Sequence, residues 1–110
     1  MTLVSKGKKV CFLDLDLRAP SLCSTFKNDS SCWINDYLSK VCNIESILTE
    51  STPSYIKDGS LFVGLANPST EAIRDMSAKD RKWEMEALGR LLSLKDTLLN
   101  ELCFDYIICD

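Results

Sequence analysis

Val10-Cys11-Phe12-Leu13-Asp14-Leu15-Asp16-Leu17-Arg18 decides the fold. Its first four residues are apolar without a break. A strand with one wet face would alternate, whereas a strand covered on both faces reads as a continuous apolar run, as in a parallel sheet between helix layers. The run ends in two acids, one residue apart. Two further segments read the same way: Leu61-Phe62-Val63-Gly64-Leu65, and Phe104-Asp105-Tyr106-Ile107-Ile108-Cys109, which is followed by Asp110.

The stretches between them are helical or turn-forming. Lys6-Gly7-Lys8-Lys9 has the chemistry of a helix C-terminus, so Met1 to Lys6 reads as the tail of a helix. Pro20 suits the first turn of a short helix, Pro20 to Phe26. Lys27 to Ser31 reads as a loop. Apolar residues at 33, 34, 37 and 38 keep helical spacing, and Asn43 can cap a turn through Ile44, Ile47 and Leu48. Ser51 to Ser60 reads as a connector, and Asn67-Pro68-Ser69-Thr70 as a turn that can open a helix. Lys79 to Leu102 is the clearest helix, capped by Ser77 or Asp80. Trp83, Leu88, Leu91, Leu92, Leu98, Leu99 and Leu102 share one broad face. Gly89 inside it costs about 1 kcal/mol relative to Ala, which suggests a close packing contact. Strands alternating with helices predict an α/β fold: a three-stranded parallel sheet flanked by helices, with all strand C-termini on one rim.

The totals restrict function. The 110 residues suffice for one modest core, and 45% apolar content is ordinary for a globular chain. A formal charge of −3 argues against a general nucleic-acid binder. No apolar run approaches the ~20 residues needed to span a bilayer, and the start lacks a secretion signal. A cytoplasmic location is therefore the expectation. The six cysteines include no Cys-x-x-Cys pair and the chain has no His, which argues against zinc and against His-based catalysis. Reduced thiols are expected, with Cys11 and Cys109 acting as small core residues.

Ligands of open α/β sheets bind beyond the carboxyl ends of the strands. Parallel strands would bring Asp14, Asp16 and Asp110 to one edge. Mg2+ favours oxygen ligands and keeps several waters, so one or two carboxylates plus phosphates suit it. An Asp after a strand also caps the helix that follows. The pattern alone leaves both readings open.

Gly7-Lys8-Lys9-Val10-Cys11-Phe12-Leu13-Asp14-Leu15-Asp16-Leu17-Arg18-Ala19-Pro20-Ser21 resembles the second strand and switch I of the MinD/ParA-type deviant-Walker P-loop ATPases. Phe104 to Asp110 resembles their Walker B strand, and the order of elements between the two is similar, so the resemblance spans nearly the whole chain. It implies that Asp16 orients or activates the attacking water, as a catalytic residue. Asp14 would support Mg2+ and the phosphate-loop side of the site, Asp110 would hold Mg2+ through a water, and Arg18 would belong to the nucleotide site or be a solvated surface residue. ATP and Mg2+ are the implied cofactors. The implied partners are a second copy in a nucleotide-dependent homodimer, a membrane surface or DNA, and an activating protein. The implied function is spatial positioning of the division site or of DNA. The Gly-rich phosphate loop with its signature lysines is missing from these residues, since Gly7-Lys8 precedes a strand instead of following one. On this resemblance the 110 residues are an internal piece: the phosphate-loop strand would precede them, and the remainder would follow Asp110. By themselves they should be inactive, with an apolar sheet edge left open. Three other readings stand beside this one: a bacterial-type tyrosine kinase domain, which shares the Asp-x-Asp-x-Arg block with Pro20 and Ser21; an Mrp-like iron–sulfur carrier ATPase; and a degenerate interaction domain.

Overall fold

A computed structural model describes residues 7–20, 22, 26 and 32–109. The expected helix tail Met1 to Lys6, the loop Lys27 to Ser31, most of the Pro20 to Phe26 helix and Asp110 lie outside them. The described elements are β1 (Lys9–Leu13), α1 (Ile34–Leu38), α2 (Ile44–Ile47), β2 (Leu48–Glu50), β3 (Ser60–Gly64), α3 (Thr70–Ser77), α4 (Arg81–Asp96), a π-helical turn (Thr97–Glu101) and β4 (Tyr106–Cys109).

The three apolar runs form the expected parallel strands. β1 lies between β3 and β4 in the order β2-β3-β1-β4. Leu13 is in register with Gly64 on one side and with Cys109 on the other, so the three strands end level. The sheet also has a fourth strand. β2 pairs antiparallel with β3, Leu48 opposite Gly64 and Glu50 opposite Phe62. Leu48 therefore leaves the helical turn it was read into, and the sheet is mixed, with an antiparallel edge strand. At β3 it satisfies backbone groups that would otherwise face water.

β1 and β3 are covered on both faces, which explains their unbroken apolar runs, whereas β4, expected to be buried in the same way, is only half-covered, with Tyr106 and Cys109 exposed. Val10 packs with Leu61, Val63 and Leu65 on one face. Cys11 and Leu13 point to the other, into a core with Ile34, Ile47, Leu94, Leu98 and Phe104. Burial pushes the Cys11 thiol up to about 12, with nearby Cys109 adding to the rise, so Cys11 behaves as a core thiol.

Local cap chemistry places the helix starts. Asn43 accepts from Ser46 N–H at 3.0 Å, Ser69 from Ala72 N–H at 3.1 Å, and Asp80 from Trp83 N–H at 2.9 Å. Ser77 is not a cap for α4. It ends α3, where its hydroxyl donates to the Ile73 carbonyl. α1 is tied to α4 by two reciprocal bonds. Arg90 Nε donates to the Tyr37 carbonyl at 2.8 Å, and the Tyr37 hydroxyl donates to the Arg90 carbonyl at 2.9 Å.

Two expectations about α4 are corrected. Leu94 and Leu98 enter the core, but Leu88 and Leu92 remain 57% and 54% exposed. The apolar face is wider than the sheet beneath it, because β4 is the edge strand among the described residues. Gly89 makes no close contact either: a Cβ there would meet nothing within 4 Å. Gly89→Ala is therefore expected to stabilise the chain by about 0.5–1 kcal/mol, read as a higher urea midpoint with unchanged slope.

The cysteine expectation is also corrected in part. Cys32 and Cys42 form a disulfide across α1, while Cys11, Cys103 and Cys109 are free; Cys11 is the core residue expected, but Cys109 is exposed, because it ends β4 at the edge of the described sheet. Among the described residues no helix is long and apolar enough to cross a membrane.

Candidate functional site

The acids after β1 diverge as the chain leaves the sheet. Asp14 continues the strand, its N–H donating to the Gly64 carbonyl at 3.0 Å. Its side chain is fully buried. One carboxylate oxygen accepts from Asp16 N–H at 3.1 Å and the other from Leu22 N–H at 3.2 Å. Asp14 thus gathers the loop after β1 by holding two of its backbone donors, a cap-like role for a carboxylate at a strand end.

Asp16 faces outward and is exposed. Its Oδ1 and its carbonyl both accept from Ala19 N–H, at 3.2 and 3.3 Å, which folds residues 16–19 into a tight turn. Such an exposed carboxylate can take a hydrogen bond from water or meet a hydrated cation. Arg18, on the same turn, forms an ion pair with Glu84 of α4 at 3.0 Å, with both side chains more than half exposed. At that exposure the pair contributes little to stability, and it holds the arginine against α4.

Asp16, Arg18 and Glu84 line a cavity of about 230 Å³ together with Leu15, Met76 and Trp83. Met76 is buried near the end of α3, and Trp83 lies in the first turn of α4. Sequence reading grouped Asp14, Asp16 and Arg18. The structure puts Asp16 and Arg18 on one cavity wall and Asp14 behind them. It adds Glu84, Met76 and Trp83, which the sequence did not connect to the site. Of these, the only advance signal was Trp83's place at the start of the long helix. Cys109 ends β4 level with Leu13, and Asp110 is the next residue in sequence, outside the described residues.

No protein-family model matches the chain, and no curated protein does. Solved structures do match. The cell division ATPase MinD of Pyrococcus furiosus superposes with a TM-score of 0.65 at 22% identity, over 98% of this chain and 39% of that one. Cobyrinic acid a,c-diamide synthase of Mycobacterium smegmatis, solved with an ATP analogue and magnesium, superposes with a TM-score of 0.62 at 22% identity, over 98% of this chain and 40% of that one. The chain therefore spans about two fifths of the length of these neighbours. With three level parallel strands, helices packed with the sheet and these two superpositions, the 110 residues share the α/β fold of the matched part of MinD and of cobyrinic acid a,c-diamide synthase.

Proposed function

We propose that this chain is a segment of a MinD/ParA-like ATPase, contributing the water-positioning and Mg2+-side carboxylates of a nucleotide site. The observation that carries this reading is the parallel pairing of β1 with β4, Leu13 opposite Cys109. It directs the Asp14 to Arg18 loop to the carboxyl rim of the sheet, where open α/β folds hold their ligands. In phosphoryl transfer such groups act by position and charge, not by covalent chemistry.

The exposed Asp16 is suited to orienting the attacking water. The buried Asp14 is suited to holding the loop that presents Asp16. Asp110 would hold Mg2+ through a water, and Arg18 would exchange Glu84 for a phosphate oxygen. Bound Mg-ATP would supply the transferred phosphoryl group and its charge neutralisation. A nucleotide-dependent homodimer, and spatial positioning of the division site or of DNA on a membrane or DNA surface with an activating partner, extend the proposal to the whole protein.

The test is Mg-ATP turnover by the protein translated from the full reading frame around these residues. Asp16→Asn is expected to lower turnover by about 100-fold or more, with ATP affinity kept within a few-fold. Turnover unchanged by Asp16→Asn overturns the assignment of Asp16. Absence of ATP binding in the full protein overturns the ATPase reading.

A further inference from the structure

Cys32, Asp36 and Cys42 converge around α1, on residues that the nucleotide reading does not use. One ligand atom from each, the two sulfurs and a carboxylate oxygen, lie within 4.8 Å of one another. The oxidised pair is a disulfide. Hydrogen bonds independent of the S–S bond also hold the three together. The Asp36 carboxylate accepts from the N–H of Trp33, the residue after Cys32, at 2.8 Å. The Asp36 carbonyl accepts from Val41 N–H at 2.8 Å and from Cys42 N–H at 3.3 Å. Lys40, with φ of 65°, turns the chain back over α1 so that these bonds can form. Breaking the disulfide would therefore leave two thiols and a carboxylate gathered at one point.

Access and charge decide what such a cluster takes. Cys32 is 9% exposed, and Cys42 is half-buried on the wall of an open cleft that also includes Lys40 and Arg90. Two thiolates beside a carboxylate repel one another unless a cation joins them. Thiolate sulfur is a soft ligand and selects zinc-class ions over Mg2+ or Ca2+. Three protein ligands leave a fourth tetrahedral position for water.

We propose that Cys32, Cys42 and Asp36 form a redox-gated binding site for one zinc-class dication, closed as a disulfide and opened by reduction. A trialkylphosphine opens it: phosphorus is oxidised to its oxide with the oxygen of water, the S–S bond breaks, and each sulfur takes one of the water's protons. The dication then displaces both thiol protons and forms two metal–sulfur bonds and one metal–oxygen bond. A small-molecule disulfide closes the pair again after the metal leaves. It accepts two electrons and becomes two thiols, while Cys32 and Cys42 lose two protons and re-form the bond. The site bears on the rest of the fold through α1. Ile34 N–H donates to the Leu65 carbonyl at 2.9 Å, and Asn67 N–H donates to Asn35 Oδ1 at 2.9 Å, both on the chain leaving β3.

The experiment titrates Co2+ alone into the phosphine-reduced chain and into the oxidised chain. The expected result is a thiolate-to-cobalt charge-transfer band saturating at one ion per reduced chain and absent from the oxidised chain. Cys32→Ser and Cys42→Ser each abolish it. Asp36→Asn keeps both sulfurs and weakens the affinity by about 10-fold or more. Should a serine variant fail to fold, alkylation of the wild-type chain gives the answer: Zn2+ shields Cys32 and Cys42 while Cys103 still reacts. The proposal is overturned if the reduced chain shows no band, if the band survives loss of both Cys32 and Cys42, or if Zn2+ leaves them unshielded. None of these readouts involves nucleotide, so failure here leaves the ATPase reading untouched.

Discussion

Asp14→Ala is expected to lower the unfolding free energy by about 3 kcal/mol and to release the loop after β1. The fully buried carboxylate receives the N–H groups of Asp16 and Leu22. A hydrogen bond to a charged group contributes about 1.5–3 kcal/mol, and a buried donor left without a partner costs a similar amount. Alanine removes both acceptors and replaces them with nothing. Urea unfolding measures the loss. Trypsin cleavage after Arg18 under native conditions measures the loop, and it should quicken in the variant. Asp14→Asn retains one acceptor oxygen and should fall between wild type and alanine. A change below about 1 kcal/mol with unaltered cleavage at Arg18 would show that Asp14 does not organise this loop, and that its burial has another cause.

The second large effect concerns the contact between α1 and the sheet. Ile34 is fully buried, and its side chain approaches Gly64, where a Cβ would stand 3.3 Å from Ile34 Cδ1 and 2.9 Å from Leu13 Cδ2. Ile34→Ala is expected to cost about 2–5 kcal/mol, from lost burial and the cavity left behind. Gly64→Ala is expected to cost about 1–3 kcal/mol, because Leu13 and Ile34 must both give way. The two variants share one space. Removing Ile34 Cδ1 makes room for the added methyl, so the double variant should be less destabilised than the sum by at least about 0.5 kcal/mol. Leu13 remains in place, so the rescue is partial. Strict additivity in a urea-unfolding cycle would mean that Gly64 is required for its backbone and not for this close approach.

The two glycines show where sequence reading stops. Gly89 stands in the strongest helix of the chain, so a packing reason was expected there. Yet the crowded glycine is Gly64, at the end of β3. A residue's own neighbours in sequence report its backbone cost. What presses on it is brought by other elements, here Leu13 and Ile34.

The disulfide and β2 follow the same rule. Cys32 and Cys42 are ten residues apart, a spacing that resembles no metal or redox motif. They meet because α1 is a single short turn of helix and Asp36 folds the chain back beside it. Leu48, Thr49 and Glu50 follow the Asn43-capped turn directly, with no Gly or Pro to mark where it stops. They become a strand because β3 offers an edge at that point.

From the sequence alone came the features whose causes are local: three apolar runs for the parallel strands, caps at Asn43 and Asp80, and the acids that follow β1. Tertiary structure alone decided which way those acids face, Asp14 inward to backbone donors and Asp16 outward to the cavity. It also decided that Arg18 meets Glu84, 66 residues away, and that Leu88 and Leu92 stay in water while Leu94 and Leu98 do not. The physical reason is range. Propensity and capping act within about one helical turn of a residue, whereas orientation, pairing and burial depend on surfaces that exist only after distant segments have packed.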